Sequence, residues 1–322
     1  MTALAGTCAK YIKREMVCFY AFYYTIGLFL CAFINYYLQK VYFYAIILTV
    51  SIEISANINT IMTDTDAWPQ GTISTTLALH KRGYSGILID KYRRSRWLVS
   101  VGNGAVARRG DHVEWTGGLY AIQTQLGLPV HAGGKTALQF HGHTHFVSSG
   151  RGGSAWLFSR QGTRLPTWFT NHAWNVGEKP LRLQHINTNL FGQKHALGLT
   201  EIKSGTYKIR ISSRERAMME LLHLVPNDQG FEEAAALMQQ LSTLQPELTT
   251  DLLRACRSVK VKRLFLFLAD HCNHPWLAKI DRSKIYMGSG KRQIVKDGEF
   301  DSKYSITVPR GFIENPDKEN RP

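Results

Sequence analysis

Residues 72–110 read TISTTLALHKRGYSGILIDKYRRSRWLVSVGNGAVARRG, and the order of signals in this stretch decides the fold. Ser74 is placed to cap a short helix, Thr75 to Lys81, by accepting a bond from one of its orphan N–H groups. Gly83 can take the left-handed conformation that ends that helix. Ser85 then caps a second helix, Gly86 to Arg93, whose Leu88, Ile89 and Tyr92 recur at helical spacing and face inward. Trp97–Val101 and Ala105–Ala107 are strand-like, and Gly102-Asn103-Gly104 supplies the positive backbone angles of a tight hairpin. Helix, turn, helix and hairpin is the order of a winged helix-turn-helix. The predicted fold class is therefore α+β, an N-terminal winged helix-turn-helix followed by a larger mixed domain.

Charge points the same way. The stretch holds eight basic residues, Lys81, Arg82, Lys91, Arg93, Arg94, Arg96, Arg108 and Arg109, against the single acid Asp90. The whole chain carries a formal net charge of +15, which favours an anionic partner but is silent on fold. A one-signed cluster on such a module neutralises phosphates and gains affinity by releasing counterions. The second helix of such a pair lies in the major groove. The expected contacts with double-stranded DNA are Arg82, Ser85, Lys91, Arg93, Arg94, Arg96, Asn103, Arg108 and Arg109. Gly86 and Ile87 offer no long hydrogen-bonding side chain, so the wing, with Arg108 and Arg109, is expected to carry much of the binding.

Beyond Asp111 the pattern stays α+β. Helices are predicted over Trp115–Leu126, Lys135–Phe140, Glu215–Leu222, Phe231–Leu241 and Leu248–Ala255, and strands over Ala155–Ser159, Leu181–Ile186, Tyr207–Ile211 and Tyr304–Val308. Leu264–Ala269 is apolar enough to be buried. The expected division is a DNA-binding domain over 62–110, an α+β domain over 111–310 and a polar tail over 311–322.

Three clusters could carry chemistry, and each falls short. His141, His143 and His145 would share one face of a strand, yet no carboxylate lies between residues 121 and 165 to complete a metal site. Glu201-Ile202-Lys203 has the Glu-x-Lys spacing of restriction-type nucleases, but no Asp lies between Asp111 and Glu201. Gly288-Ser289-Gly290-Lys291 lacks the earlier Gly of a phosphate loop, where Ile285 stands. Five cysteines without a Cys-x-x-Cys pair argue against a zinc site or disulfide framework. No metal, cofactor or catalytic set is expected. Arg254, Arg257, Lys260, Lys262 and Arg263 could form a second basic surface for nucleic acid or a partner, or simply a solvated face.

The first sixty-one residues differ from everything after them. Val17 to Leu38 has no charge and is long enough to span a bilayer, while Val41 to Ile52 is short for a span. Phe, Tyr, Ile, Asn and Lys, all read from AT-rich codons, make up 28 of residues 1–61 but only 53 of the remaining 261. The abrupt change at Met62 is what a start codon downstream of AT-rich promoter sequence would produce, so 1–61 is expected to be a misassigned leader. The alternative is a membrane anchor over residues 17–52 that keeps the DNA-binding domain cytoplasmic.

The stretch above, with His112–Ala121 and Gln125–Leu138 behind it, resembles the AbiEi family, antitoxins and transcriptional regulators of type IV toxin–antitoxin systems. Gly162–Phe169, Arg210–Ala217, Arg254–Phe265 and Gly288–Gln293 continue the likeness, which covers nearly all of residues 70–310 and none of 1–61. Gly86, Ile87 and Asp90 depart from the polar or basic residues that members tend to carry early in the second helix. The resemblance implies a cytoplasmic repressor of its own operon, opposing a cognate nucleotidyltransferase toxin.

Overall fold

The computed structural model describes residues 35–49, 68–143 and 153–313, distributed over two units, Met1–Thr65 and Asp66–Pro322. In the first unit residues 35–49 are helical (α1), with every side chain exposed. No helix among the described residues is long and apolar enough to cross a membrane. Most of the run from Val17 to Leu38, and Met62 itself, lie outside the described residues.

The second unit opens with β1 (Ser74–Thr75), α2 (Thr76–Lys81), α3 (Gly86–Arg94), β2 (Leu98–Gly102) and β3 (Ala105–Arg108). The order is the one predicted, with one correction at the first cap. Thr75 Oγ1, not Ser74, accepts from the Ala78 N–H at 3.1 Å. Ser74 and Thr75 both pair with β3, opposite Val106 and Ala105, and the helix starts only at Thr76, which puts Thr75 at the cap position. Ser85 Oγ accepts from the Leu88 N–H at 3.2 Å, as its position at the head of α3 predicts. The three strands form one sheet in the order β1-β3-β2.

This module shares its core with the rest of the unit. Ile73 and Ala105 pack in the same buried cluster as Leu119 and Ile122 of α4 (Trp115–Thr124). Gln125 bridges the two parts, accepting from the Thr75 N–H at 2.7 Å and donating to the Ile73 carbonyl at 2.8 Å. The hairpin turn is held as well: Thr76 N–H donates to the Gly104 carbonyl, and a Cβ on Gly102 would meet Trp168 Cβ at 2.8 Å. The wing lies against the body instead of projecting from it.

The body is built on a five-stranded sheet, ordered β8-β5-β4-β10-β9. Its strands are β4 (Val130–Ala132), β5 (Ser154–Arg160), β8 (Arg182–Thr188), β9 (Leu199–Ser204) and β10 (Tyr207–Ser212). The short helix α6 (Thr167–Thr170) and the ribbon of β6 (Asn175–Val176) and β7 (Lys179–Pro180) connect β5 to β8. The pairs β5–β8 and β4–β10 are parallel, and the others antiparallel. Helices α5 (Gly134–Phe140), α7 (Arg214–Leu224), α8 (Phe231–Gln239), α9 (Pro246–Ala255) and α10 (Val259–His271) supply the other layer. α7 starts at its predicted cap, with Ser213 Oγ accepting from the Arg216 N–H. The apolar run Leu264–Ala269 is buried within α10.

A cluster of ionisable groups around Glu220 sits in this core. Glu220 of α7 is 1 % exposed and receives His131 Nε2 at 2.8 Å, Ser212 Oγ at 2.7 Å, Arg216 Nε at 2.8 Å and the Gly134 N–H at 3.2 Å. Burial alone would raise its carboxyl, but His131 and Arg216, with hydrogen bonds from His131 and Ser212, hold it down at about 2. Burial also lowers the His131 imidazole.

Candidate nucleic-acid interface

Four of the nine expected DNA-contacting residues come together. Arg93 and Arg94 end α3, Arg96 follows its cap, and Arg109 follows β3; with Asp90, Leu98, Val99 and Ser100 they line an open concavity of about 660 Å³. All four arginines are exposed. Arg93 donates to Asp90 at 3.1 Å across the surface, a pair worth little in solvent.

The chain reaches this arrangement by an unusual helix ending. Arg96 N–H donates to the Arg93 carbonyl and Trp97 N–H to the Tyr92 carbonyl, the double closure of a Schellman motif. The left-handed position of that motif usually belongs to Gly, yet here Arg96 occupies it at φ 60°. A side chain there costs about 1–2 kcal/mol, and in return the guanidinium is thrown onto the same concavity as Arg94 and Arg109. Arg96→Gly removes the strain but raises the entropy of the unfolded chain by about 0.4–1 kcal/mol. The expected variant is as stable as the parent, or slightly more so, in urea, while its affinity for duplex DNA falls about tenfold. A parallel loss of stability would show that Arg96 serves the fold.

The other expected residues fall elsewhere. Lys91 is exposed on α3, Arg82 is exposed at the end of α2, and Asn103 is exposed at the hairpin turn, none of them lining the concavity. Ser85 is engaged as the cap of α3. Arg108 requires a correction, because at 6 % exposure it is turned inward. It donates to Asp111 at 3.2 Å and to the Trp68 carbonyl at 3.0 Å, with its guanidinium over the Trp68 ring. A buried guanidinium needs such partners, so Arg109 alone represents the wing on the arginine face.

The second basic surface is corrected too. Arg254 and Arg257 are exposed, and Arg254 pairs with Asp251 at 2.9 Å. Lys260, Lys262 and Arg263 of α10 turn their charges onto backbone carbonyls. Lys260 Nζ donates to His223 and Val225, and Lys262 Nζ to Tyr286. Arg263 donates to the carbonyls of Met287, Gly288, Gly290 and Ser305. These cations tie loops to α10 through their backbone carbonyls, and burial lowers both lysine pKa values. The Gly288–Gly290 turn is one such anchored loop.

Glu201 and Lys203 are exposed on the edge strand β9, with Glu201 facing Lys208 at 4.0 Å. His141 and His143 lie in the turn after α5, not on a strand, and His145 is outside the described residues. Among the described residues no group of three His, Cys, Asp or Glu could hold a metal ion.

A helix–turn–helix backed by a small sheet, carrying a face of four arginines and one aspartate on an α+β body, is the build of a transcriptional regulator. The chain belongs to the AbiEi antitoxin family of such regulators, from type IV toxin–antitoxin systems. The family's N-terminal domain matches residues 56–149, and its transcriptional-regulator domain matches residues 153–309. No curated protein matches the chain. Among solved structures, the crystal structure of RV2827C protein from Mycobacterium tuberculosis is similar at 14 % identity and a TM-score of 0.48, over 78 % of this chain and 90 % of that one.

Proposed function

We propose that the protein binds duplex DNA at the operator of its own operon through α3 and the arginine concavity, and so represses its own synthesis. The observation that carries this reading is the convergence of Arg93, Arg94, Arg96 and Arg109 on one concavity at the end of α3. In this reading α3 enters the major groove as a winged helix-turn-helix does. The arginines take the flanking phosphates, which position the protein without reading sequence. The first turn of α3 offers Gly86 and Ile87, and Ile87 is 85 % exposed. An exposed aliphatic side chain in the major groove contacts the thymine methyl. Membership of the family further supports the role of antitoxin, opposing a nucleotidyltransferase toxin encoded beside it in the cytoplasm.

Fluorescence anisotropy with the duplex upstream of the gene, against a scrambled duplex of equal length, tests the reading. The upstream duplex is expected to bind about 10³-fold more tightly at physiological salt. Replacing thymines by uracil in the upstream duplex is expected to weaken the parent several-fold and to leave Ile87→Ala unchanged. Equal affinity for both duplexes would remove the operator from the proposal. Growth arrest by the neighbouring gene product that co-expression fails to relieve would remove the antitoxin role.

A further inference from the structure

A second cationic site lies in the body, separate from the arginine face. The parallel strands β5 and β8 end side by side at Arg160 and Thr188, and the segment over residues 189–198 closes above them. Together they enclose a cavity of about 90 Å³. Crevices at the carboxyl ends of parallel strands are a recurrent place for ligands. A single water needs only about 10–15 Å³ of such space, so this one has room for a tetrahedral oxyanion.

The walls suit one. Arg160, Arg210 and Arg216 line the cavity, and no Asp or Glu does. Arg216 is 5 % exposed and rigidly held. Its Nε is on Glu220, and its Nη1 donates to the His195 and Leu197 carbonyls at 2.7 Å each. Its guanidinium stacks on Phe191 at 4.7 Å. Nη2 has no hydrogen-bond partner among the described residues. Arg210 reaches only the Gln123 and Leu128 carbonyls, at 3.3 and 3.4 Å. Arg160 is exposed at the rim, with no partner among the described residues. A buried guanidinium with a free N–H, backed by two more arginines, is a preorganised oxyanion receptor.

We infer that this cavity binds a phosphate-sized oxyanion, either free phosphate or the terminal phosphoryl group of a small ligand whose remainder leaves past Arg160. Arg216 would donate Nη2 from the floor, and Arg210 and Arg160 would close on the remaining oxygens.

The arginine concavity near α3 would also attract phosphate, so the test is made in a chain with Arg94→Ala, Arg96→Ala and Arg109→Ala. Thermal unfolding is followed against inorganic phosphate, with ionic strength held constant by chloride. Ligand binding to the folded state alone raises the midpoint by mass action, and a saturable rise of a few degrees is expected. Adding Arg160→Ala is expected to raise the half-saturating phosphate concentration about tenfold, the scale of one charge-assisted hydrogen bond. Arg210→Met is expected to do the same. Arg216 itself is left intact, because removing it would strand Glu220 and unfold the protein. Ribose 5-phosphate distinguishes the source: tighter binding than phosphate assigns the phosphoryl group of a larger ligand, and equal binding assigns the free ion. The inference is overturned if phosphate gives no rise beyond chloride, or if the rise survives both Arg160→Ala and Arg210→Met unchanged.

Discussion

With Arg94, Arg96 and Arg109 all replaced by alanine, duplex DNA is expected to dissociate at physiological salt while the unfolding midpoint stays close to that of the parent. The three side chains line one concavity and are exposed, so their removal empties no core. Each phosphate left without its cation lowers the slope of log K against log salt by ~0.9, so three such phosphates lower it by ~2.7. At about 1.4 kcal/mol for each charge-assisted arginine–phosphate bond, affinity falls on the order of 10³-fold. Because phosphates carry no sequence information, specific and scrambled duplexes weaken together. Arg108→Ala gives the opposite pattern. It leaves the Trp68 carbonyl without its donor and removes the ion pair from Asp111, which keeps only the Gly71 N–H, so it is expected to lower stability first. A salt slope unchanged by the triple substitution would place DNA on another face.

Glu220→Ala is the substitution expected to cost the fold most. It would leave Arg216 and His131 buried without their common acceptor. Breaking a buried pair from one side costs about 3–5 kcal/mol, a large part of the ~5–15 kcal/mol that a typical domain has in hand. Urea unfolding at neutral pH measures it. Glu220→Gln keeps the shape but leaves the Arg216 charge uncompensated, and is expected to fall between parent and alanine. The acid limb reports the same group. The folded carboxyl sits at about 2 against an ordinary 4.5, so its contribution is complete above pH 4.5 and is lost as pH falls toward 2. That portion of acid unfolding is expected to disappear in Glu220→Gln. His131, lowered by burial, adds a separate loss that begins as pH drops below its ordinary 6.5, because the unfolded chain then binds the extra proton.

What can be read from the sequence is what depends on neighbours along the chain. Ser85 and Ser213 cap the helices they precede, and Gly102-Asn103-Gly104 turns the hairpin, because each signal is satisfied within a few residues. The first cap falls to Thr75 because distant pairing with β3 keeps both Ser74 and Thr75 extended and the helix starts only at Thr76. Arg108 reads as a wing residue, although Asp111 three residues on is a local warning; the Trp68 carbonyl, forty residues back, is not foreseeable. Lys260, Lys262 and Arg263 mislead for the same reason, since their acceptors lie 24 to 42 residues away. The expectation of three histidines along one strand ignores that α5 reaches Phe140 and leaves His141 in a turn. β4 escapes a reading by pattern because its three buried residues, Val130-His131-Ala132, show no alternation. Arg96 cannot be singled out either, for nothing in its neighbours demands a left-handed arginine.

The anchoring of the hairpin turn sets terms for recombination. A segment spanning residues 68–110 would not travel alone into another scaffold. It would leave behind the Gln125 amide that completes its first strand and the Trp168 surface against which Gly102 is seated. A functional chimera has to exchange α4 and the Trp168 helix along with the reading helices, or rebuild both supports in the host. Under the proposed reading, a change of base preference is reached at lower cost by point substitution at Ile87, which faces solvent, than by exchanging the whole segment.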